Sequence, residues 1–543
     1  MERLPSELRA VESEIDAEYQ TNRLMKLPFA VSAWNLMGVI EDAFFIPMLG
    51  REELSKQELE AKADSYIFVS QYPFRWLLRS CSPGGRAPTT FQEDNWKAAY
   101  DLIQLAFNYD RFYMAFTLAS RGLIGLRLEG QEIIPEYTFP NEAQFEAYNR
   151  LVKPAGKDIE NFDSPAVEAL SDAVDRSLHI SGDNFTVTLD SKMVRDAMDH
   201  LNPMLNQKFK LPDDWSFSRY RLVDFKQVYK AICALAFIRY LGRMKAALYV
   251  NNYYGFANTL LIYRKEALAT VIARHTGQSP RVVKYVLDDL TFASQGMSPD
   301  RADPAIQPLI ALNDEQCAIA PRLWFDTAAE RNFMILLNRI PAERTVYLRL
   351  VGHKEELMRE RMCKHISSPW RTCSGPVIGR KDLPDIDLAI IDDLEKVCLL
   401  TELKWFLGPA EIREIVEKSK EIKKGISQLL SLKNALEQGY RPLMQQLDIN
   451  STYSLGLVVI SAEWIGHASV QNPEVQVISE KHFIKKLSVT KSLSEIATWL
   501  TKREYLPVEG KHYEIVHTPG QVGNWKTTWY RIKPLIGEGF MPV

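Results

Sequence analysis

The sequence predicts a mixed α/β domain in the C-terminal part of the chain, preceded by a large, mostly α-helical region. Up to about residue 300, apolar residues recur at the three- and four-residue spacing of amphipathic helices. From about residue 320, short apolar runs alternate with helical patterns, which is typical of a layered α/β domain. The length of 543 residues also exceeds one ordinary core, since a domain averages about 150 residues.

The N-terminal region, residues 1–300, is predicted to be mostly helical, and a polar break at 153–165 would divide it into two subdomains. One short alternating segment, 185–190, has the pattern of a strand. The helical patterns cover 6–26, 28–48, 92–119, 142–152 and 222–249.

Residues 263–292 predict a helix–turn–helix. Gly277 lies in the turn, Ser279 is a good N-cap, and Pro280 suits the first position of the second helix. Segment 306–321 could follow as a β-hairpin wing, within a hairpin and linker region at 301–340.

Two basic residues of the second helix, Arg281 and Lys284, would then face the phosphate backbone of DNA. The alternative is a helical hairpin packed in the core, which Asp288 and Asp289 in the same helix favour. Both interpretations stay open at this point.

The C-terminal elements are expected in a domain at 341–510, followed by a tail at 511–543. In the tail, residues 523–535 mix tryptophans with basic residues, which suits a terminal strand better than a stacking surface for single strands. A further core strand is expected in 367–380, but two prolines and two glycines there also allow a loop. The predicted strands are 345–352, 385–391, 397–406, 452–462 and 475–479, and the predicted helices are 352–366 and 411–436.

Composition limits the class of protein and its surroundings. The net charge of −3 excludes a chain that binds nucleic acid through overall charge, so any basic surface must be local. Six cysteines without a CxxC pair predict reduced thiols in a cytoplasmic protein. The most apolar stretch, 231–249, contains three basic residues and predicts a buried helix, and we expect no membrane partner.

The predicted chemistry lies on two neighbouring strands. Asp385 and Asp387 begin the first, and Glu402, Leu403 and Lys404 end the second, 15 residues after Asp387 (402 − 387). Strand alternation puts Glu402 and Lys404 on one side. The rest of both strands is apolar, and charges buried there are costly unless they pair or bind a metal. A structural salt bridge is the alternative.

Carboxylates on neighbouring strands suit Mg²⁺, with Mn²⁺ as the alternative ion. We expect Asp387 and Glu402 to bind the metal, with the carbonyl of Leu403 completing the coordination. Lys404 would orient a water molecule and offset developing negative charge. This donor set predicts hydrolysis of a phosphodiester.

Residues 340–485 resemble the PD-(D/E)xK nucleases, whose fold is called restriction-endonuclease-like. Pro384 and Asp385 match the PD literally, while Asp387 fits the family's strand aspartate better, and Glu402 and Lys404 match the ExK half. The resemblance implies a mixed sheet flanked by helices and a magnesium-dependent nuclease.

The resemblance also implies two supporting residues. Gln428, on the helix that follows the second of these strands, matches the family's polar helix position. A glutamate on the helix before the core strands would add a metal ligand, with Glu356 preferred over Glu360, and Glu355 ranked last.

The expected substrate is nucleic acid, with DNA favoured over RNA by the resemblance alone. Lys420 and Lys424 on the helix at 411–436 could contact phosphates. A helical region fused to such a nuclease is similar to prokaryotic defence effectors, in which the added part senses a trigger or a partner. A homodimer, or a partner protein that engages the N-terminal helical region, is therefore expected. The alternatives are a non-catalytic protein that binds nucleic acid or protein, and a helix-turn-helix regulator.

Overall fold

The computed structural model describes residues 4–47, 54–152, 165–182, 184–209, 211–250, 259–294, 297–407, 412–536 and 541. Two compact units account for the chain. Unit 1 comprises Met1–Glu12, Arg111–Lys157 and Arg349–Val543, and unit 2 comprises Ser13–Asp110 and Asp158–Leu348. Helices and sheets occur in both, so the chain is mixed α/β.

The α-helices of the described residues are α1 Ser6–Ala17, α2 Phe29–Ile46, α3 Lys56–Ser80, α4 Glu93–Ala119, α5 Glu142–Leu151, α6 Pro165–Arg176, α7 Ser191–Lys208, α8 Leu222–Val250, α9 Lys265–Thr276, α10 Pro280–Leu290, α11 Pro321–Phe325, α12 Ala329–Arg339, α13 Pro341–Cys363, α14 Ile412–Glu437, α15 Arg441–Leu447, α16 Glu480–Val489 and α17 Leu493–Thr501. The strands are β1 Ile124–Glu129, β2 Glu132–Tyr137, β3 Leu178–Ser181, β4 Asn184–Val187, β5 Leu261–Arg264, β6 Leu309–Ala311, β7 Gln316–Ile319, β8 Arg371–Gly375, β9 Ile386–Asp392, β10 Val397–Lys404, β11 Ser454–Ser461, β12 Val475–Ser479, β13 Tyr513–Val522 and β14 Trp525–Pro534.

Unit 1 is built on a five-stranded sheet in the order β12-β11-β10-β9-β8. The pairs from β8 to β10 are antiparallel, and the pairs from β10 to β12 are parallel. Parallel neighbours need a crossover connection, and α14 supplies the one between β10 and β11. α14 packs on one face of these strands, while α17 packs against β10 on the other face, where Gly456 lies against Leu399 and Ala497.

A second sheet of unit 1 has the order β1-β2-β14-β13. Two antiparallel hairpins, β1–β2 and β13–β14, join through a parallel pairing of β14 with β2. β14 confirms the strand expected at 523–535. The C-terminal segment therefore belongs to the same unit as residues 124–137.

Helix α5 fixes the region around β12 in unit 1. The hydroxyl of Tyr148 lies 3.1 Å from Ser479 Oγ and 3.1 Å from His482 Nδ1. The Asn149 side chain donates to the carbonyl of Gly466 at 3.1 Å and accepts from the amide of Ile465 at 2.9 Å. These buried polar groups satisfy one another, as buried groups must.

Unit 2 is mostly helical, as predicted for the N-terminal region. Of the described helices, only α2 is long and apolar enough to cross a bilayer, and 83% of that stretch is buried inside the protein. Its carboxylates Glu41 and Asp42 are also buried: Glu41 accepts from the amide of Arg322, and Asp42 accepts from Trp96 Nε1 at 2.7 Å. α2 therefore has the environment of a buried core helix.

Several predicted elements are confirmed: the apolar stretch at 231–249 lies in α8, the strand at 185–190 corresponds to β4, and the segment at 263–292 contains α9 and α10. The hairpin expected within 306–321 is β6–β7. The expected division of the helical region at 153–165 lies outside the described residues, apart from Pro165.

Of two predictions for the region before β9, one was wrong and one is confirmed. Residues 345–352 form part of helix α13 and not a strand. None of the apolar side chains there is fully buried, and Leu348 is 57% exposed, so the alternation reflected no buried sheet face. The core strand expected within 367–380 is confirmed as β8, which pairs with β9.

Candidate active site

The predicted acidic residues meet where β9 begins and β10 ends. These strands are antiparallel, and the last residue pair in their ladder is Leu388 with Thr401. Extending that register by one residue places Asp387 opposite Glu402, and directly opposite residues share a face of the sheet. The amide of Leu403 donates to Asp387 Oδ2 at 2.8 Å. Asp387 is thereby tied to the backbone between Glu402 and Lys404.

Glu402 and Lys404 lie beneath helix α14, on one side of β10. Lys404 Nζ is 2.6 Å from Glu402 Oε1, and the two side chains are 14% and 2% exposed, respectively. Gly425 of α14 lies directly above them: a Cβ atom there would stand 3.0 Å from Glu402 Cγ and 3.2 Å from Lys404 Cε. The alternation expected from the sequence is confirmed.

Gln428, one turn along α14 from Gly425, completes the surroundings of the lysine. Its Oε1 lies 3.4 Å from Lys404 Nζ. Lys404 therefore donates to two acceptors, the carboxylate of Glu402 and the amide oxygen of Gln428, which hold its ammonium group in place.

Burial raises the pKa of both carboxyl groups. The pKa of Glu402 rises to about 7, because burial and the negative charge of Asp387 outweigh the nearby ammonium of Lys404. Burial also raises the pKa of Asp387, although the hydrogen bond from Leu403 opposes this shift. Two carboxylates that repel each other in a buried place form a site that a cation would stabilise.

The pKa of Lys404 is also raised, which for a lysine favours the charged form. Burial alone would lower the pKa of Lys404, but the carboxylates of Glu402, Glu355 and Asp387 together outweigh burial and raise it. Lys404 therefore carries its positive charge beside these acids at neutral pH. A charged lysine can bind an anionic oxygen or orient a water molecule, and it is not a general base here.

Glu355, rather than the preferred Glu356, is the glutamate of α13 that lies beside the site. Its Oε1 accepts from the amide of Trp405 at 3.4 Å, and burial raises its pKa, with Lys404 and Asp387 acting on it electrostatically. Glu356 instead forms an ion pair with Arg359. Adjacent helical residues are turned by about 100° from each other, so only one of them can face β10.

The helix phase was the signal that could have identified Glu355. Met358 and Met362 of α13 are fully buried, and they follow Glu355 by three and seven residues, the spacing of one helix face. Glu360, the second choice, is exposed. Arg359, which the sequence did not suggest, acts electrostatically on Asp387 and donates to Ser374 Oγ at 2.8 Å.

Asp385 and Asp387 differ in their position relative to β9 and in their exposure. Asp385 precedes the strand and is exposed, whereas Asp387 lies within it. The charge of Asp385 contributes to raising the pKa of Asp387. The preference for Asp387 over Asp385 as the partner of Glu402 agrees with this placement, since Asp387 is half-buried.

The oxygen donors of the site suit a hard divalent cation. Among the described residues, no three acidic, histidine or cysteine side chains form a group that could hold a metal ion, so the fit rests on Asp387, Glu402 and the Leu403 carbonyl. Mg²⁺ is commonly bound by one or two carboxylates, with substrate phosphate and water filling the other positions. The donor set therefore fits Mg²⁺ bound together with a substrate.

The predicted phosphate contacts lie outside this cluster. Lys420 of α14 is exposed and pairs with Glu417 at 2.8 Å. Lys424 is also exposed, because its neighbour Gly425 is the residue that faces Glu402. Arg281 and Lys284 belong to α10 in unit 2. Of the residues predicted for the site, the structure brings together Asp387, Glu402, Leu403, Lys404 and Gln428.

Comparisons of the chain with protein-family models, curated proteins and solved structures found no match.

Proposed function

We propose that this chain is a magnesium-dependent nuclease that hydrolyses a phosphodiester bond of nucleic acid. The observation that carries the proposal is the convergence of Asp387, Glu402 and Lys404 under Gly425, with Asp387 bound to the amide of Leu403. A structural salt bridge would need only Glu402 and Lys404, and it leaves the half-buried carboxylate of Asp387 unexplained.

The order of elements supports a restriction-endonuclease-like fold for the sheet of unit 1. Three antiparallel strands, β8 to β10, are followed by the crossover helix α14 and the parallel strands β11 and β12. This is the order that the resemblance to PD-(D/E)xK nucleases implies. The helix that follows the strand bearing Glu402 and Lys404 carries Gln428, at the position expected for the polar supporting residue.

Each protein group has a distinct role in the proposed reaction. Asp387, Glu402 and the Leu403 carbonyl would hold Mg²⁺, which polarises the scissile phosphate and lowers the pKa of a bound water. Lys404, held by Glu402 and Gln428, would orient the attacking water and offset charge on the phosphate oxygens. Glu355 is close enough to Lys404 to maintain its positive charge.

The proposal is tested by cleavage of plasmid DNA, single-stranded DNA and RNA with Mg²⁺, with Mn²⁺, and with a chelator. We expect cleavage of DNA that the chelator abolishes, and a loss of roughly a hundredfold or more in Lys404→Ala. The matched control is Lys502→Ala, which removes an exposed lysine of unit 1 that pairs with Glu504 outside the site.

Equal inactivity of the wild type and Lys404→Ala on every substrate would favour a non-catalytic binding protein. Cleavage of RNA alone would correct the expected substrate and leave the chemistry in place. A role as a prokaryotic defence effector is part of the proposal only by analogy. Many such nucleases act as homodimers because one site cuts one strand, so the products on plasmid would separate nicking from double-strand cutting.

A further inference from the structure

Unit 2 contains a helix–turn–helix closed by a three-stranded sheet. Strand β5 precedes α9, the hairpin β6–β7 follows α10, and the sheet has the order β5-β7-β6. Gly277 ends α9 with a φ of 70°, a conformation that favours glycine, and the Ser279 side chain accepts from the amide of Val282 to cap α10. The turn angle between the helices is therefore fixed by local residues.

One of the two acidic residues that favoured a plain helical hairpin, Asp289, lies on the inner face of α10. Asp289 is fully buried. It accepts from the hydroxyl of Tyr220 at 2.7 Å and pairs with Arg219. Its charge is satisfied inside unit 2 and does not contribute to the outer surface of α10.

The outer face of α10 carries Arg281, Lys284, Tyr285 and Asp288, at the spacing of one helix stripe. Arg281 and Lys284 are exposed, and neither forms an ion pair with any residue that the structure describes. Lys284 acts electrostatically on Asp288, four residues further along α10, but the two form no ion pair, so both cations remain accessible to an anionic partner.

Tyr285 holds two guanidinium groups beside this stripe. Arg281 Nε donates to the Tyr285 hydroxyl at 2.9 Å, and its guanidinium lies 5.5 Å from the ring centroid. The guanidinium of Arg219 lies 5.4 Å from the same ring. Fixing an arginine before it binds reduces the entropy lost on binding.

The charge of this surface is positive despite Asp288. Lys284, Arg219 and Lys265 all act electrostatically on that single carboxylate. The loop of the β6–β7 hairpin is different, because Asp314 and Glu315 are exposed there. Phosphate contact is therefore expected from α10 and not from the tip of the hairpin.

We infer that α10 is a recognition helix that enters the major groove of duplex DNA, with Arg281 and Lys284 contacting phosphates or base edges. A helix with its side chains is about 10–12 Å across, which matches a major groove about 12 Å wide. In helix–turn–helix proteins the N-terminal residues of the second helix make these contacts, and Arg281 and Lys284 lie in the first half of α10. This inference goes beyond the proposed cleavage and does not rest on it.

The test measures binding of the full-length chain to a mixed-sequence DNA duplex by fluorescence anisotropy, with a chelator present. Arg281→Ala/Lys284→Ala is expected to bind about tenfold or more weakly, and the slope of log Kd against log salt should fall by about 1.8. The matched control is Lys97→Ala/Lys192→Ala, which removes two exposed lysines of unit 2 that pair with Glu93 and Asp196.

Binding that is unchanged in Arg281→Ala/Lys284→Ala, or reduced equally in the control pair, would overturn the inference. Duplex RNA gives a second check, because its major groove is too narrow for a helix, and equal competition by duplex RNA would also overturn it. The melting temperature of both variants is measured to show that each is folded. Because no metal is present, failure of binding and failure of cleavage are separate results.

Discussion

Glu402 is a buried acid whose charge is useful for binding a cation and costly without one. With a pKa of about 7, it keeps a proton in the metal-free folded protein that an unfolded chain would release above about pH 4.5. The stability from this raised pKa is complete below about pH 4.5 and is lost as pH rises through about 7. Between about pH 5 and pH 8 we therefore expect the wild type to lose on the order of 3 kcal/mol of unfolding free energy relative to Glu402→Gln. Its melting temperature should fall accordingly.

Magnesium should reverse this order. At about pH 8 the ion is expected to stabilise the wild type and to leave Glu402→Gln unchanged, since binding stabilises only the state that holds the ligand. Thermal melts of both proteins with and without Mg²⁺ measure both effects. A parallel pH dependence of the two proteins would contradict a raised pKa at Glu402.

The neighbouring glutamates of α13 provide a matched pair of variants. Glu355 faces Lys404 and the amide of Trp405, whereas Glu356 pairs with Arg359. Glu355→Gln is expected to reduce the cleavage rate by roughly tenfold to a hundredfold, as loss of a supporting residue does in metal sites. Glu356→Gln should remain within about twofold of the wild type, because half-exposed ion pairs contribute little. Equal losses in both variants would assign the effect to helix α13 as a whole.

The site was predictable to the extent that its residues were adjacent on strands. Glu402 and Lys404 are two apart, so alternation alone placed them on one face, and Asp387 was identified from its place at the start of the first apolar strand. Glu355 comes from an element whose rotation the sequence left open. Choosing it over Glu356 required knowing that Met358 and Met362 are the buried residues of α13, which depends on the packing partner.

At the scale of elements, α14 can reach the site only because residue 425 is glycine. An added methyl would lie 3.0 Å from Glu402 Cγ and 3.2 Å from Lys404 Cε, closer than such contacts normally are. Alanine favours a helix interior by about 1 kcal/mol over glycine, which offsets part of the steric cost. Gly425→Ala is therefore expected to remain folded but to lose roughly a hundredfold in cleavage, since small displacements of reacting groups are that costly.

Gly352 of α13 is the control for this variant. It is exposed, and an added Cβ would meet nothing within 4 Å. Gly352→Ala should raise the unfolding free energy by about 0.5–1 kcal/mol and leave cleavage unchanged. Thermal melts and cleavage rates of the two alanine variants check both expectations. Full activity in Gly425→Ala would mean that α14 does not constrain Glu402 and Lys404.

A helix or strand could be predicted where its own apolar pattern indicates which of its residues are buried. β9 and β10 are continuous apolar runs, and both were predicted within two residues of their bounds. Residues 345–352 failed because an exposed stretch alternated by chance, and the hydrogen bonds of α13 need no partner strand. β8 could be expected only somewhere within 367–380, with a loop as the alternative, because its half-exposed residues become a strand only by pairing with β9.

At the scale of the whole molecule, unit 1 is assembled from distant parts of the chain. Tyr148 and Phe145 of α5 are buried in the same core as β9 to β12, and β14 pairs with β2. The sequence alone did not assign α5 and β2 to the same unit as this sheet, because no local pattern indicates with which distant residues they pack. These contacts predict that residues 341–510 alone lack part of the core that stabilises the sheet.

The fragment 341–510 is therefore expected to show no cooperative thermal transition, whereas the full chain melts cooperatively. The hydrogen bonds of Asn149 allow a finer test in the full chain. Asn149→Ala leaves the carbonyl of Gly466 and the amide of Ile465 without their partner, which should cost about 1–3 kcal/mol. Circular dichroism melts measure both proteins. A fragment that melts cooperatively at the temperature of the full chain, or an Asn149→Ala variant as stable as the wild type, would show that the sheet does not need α5.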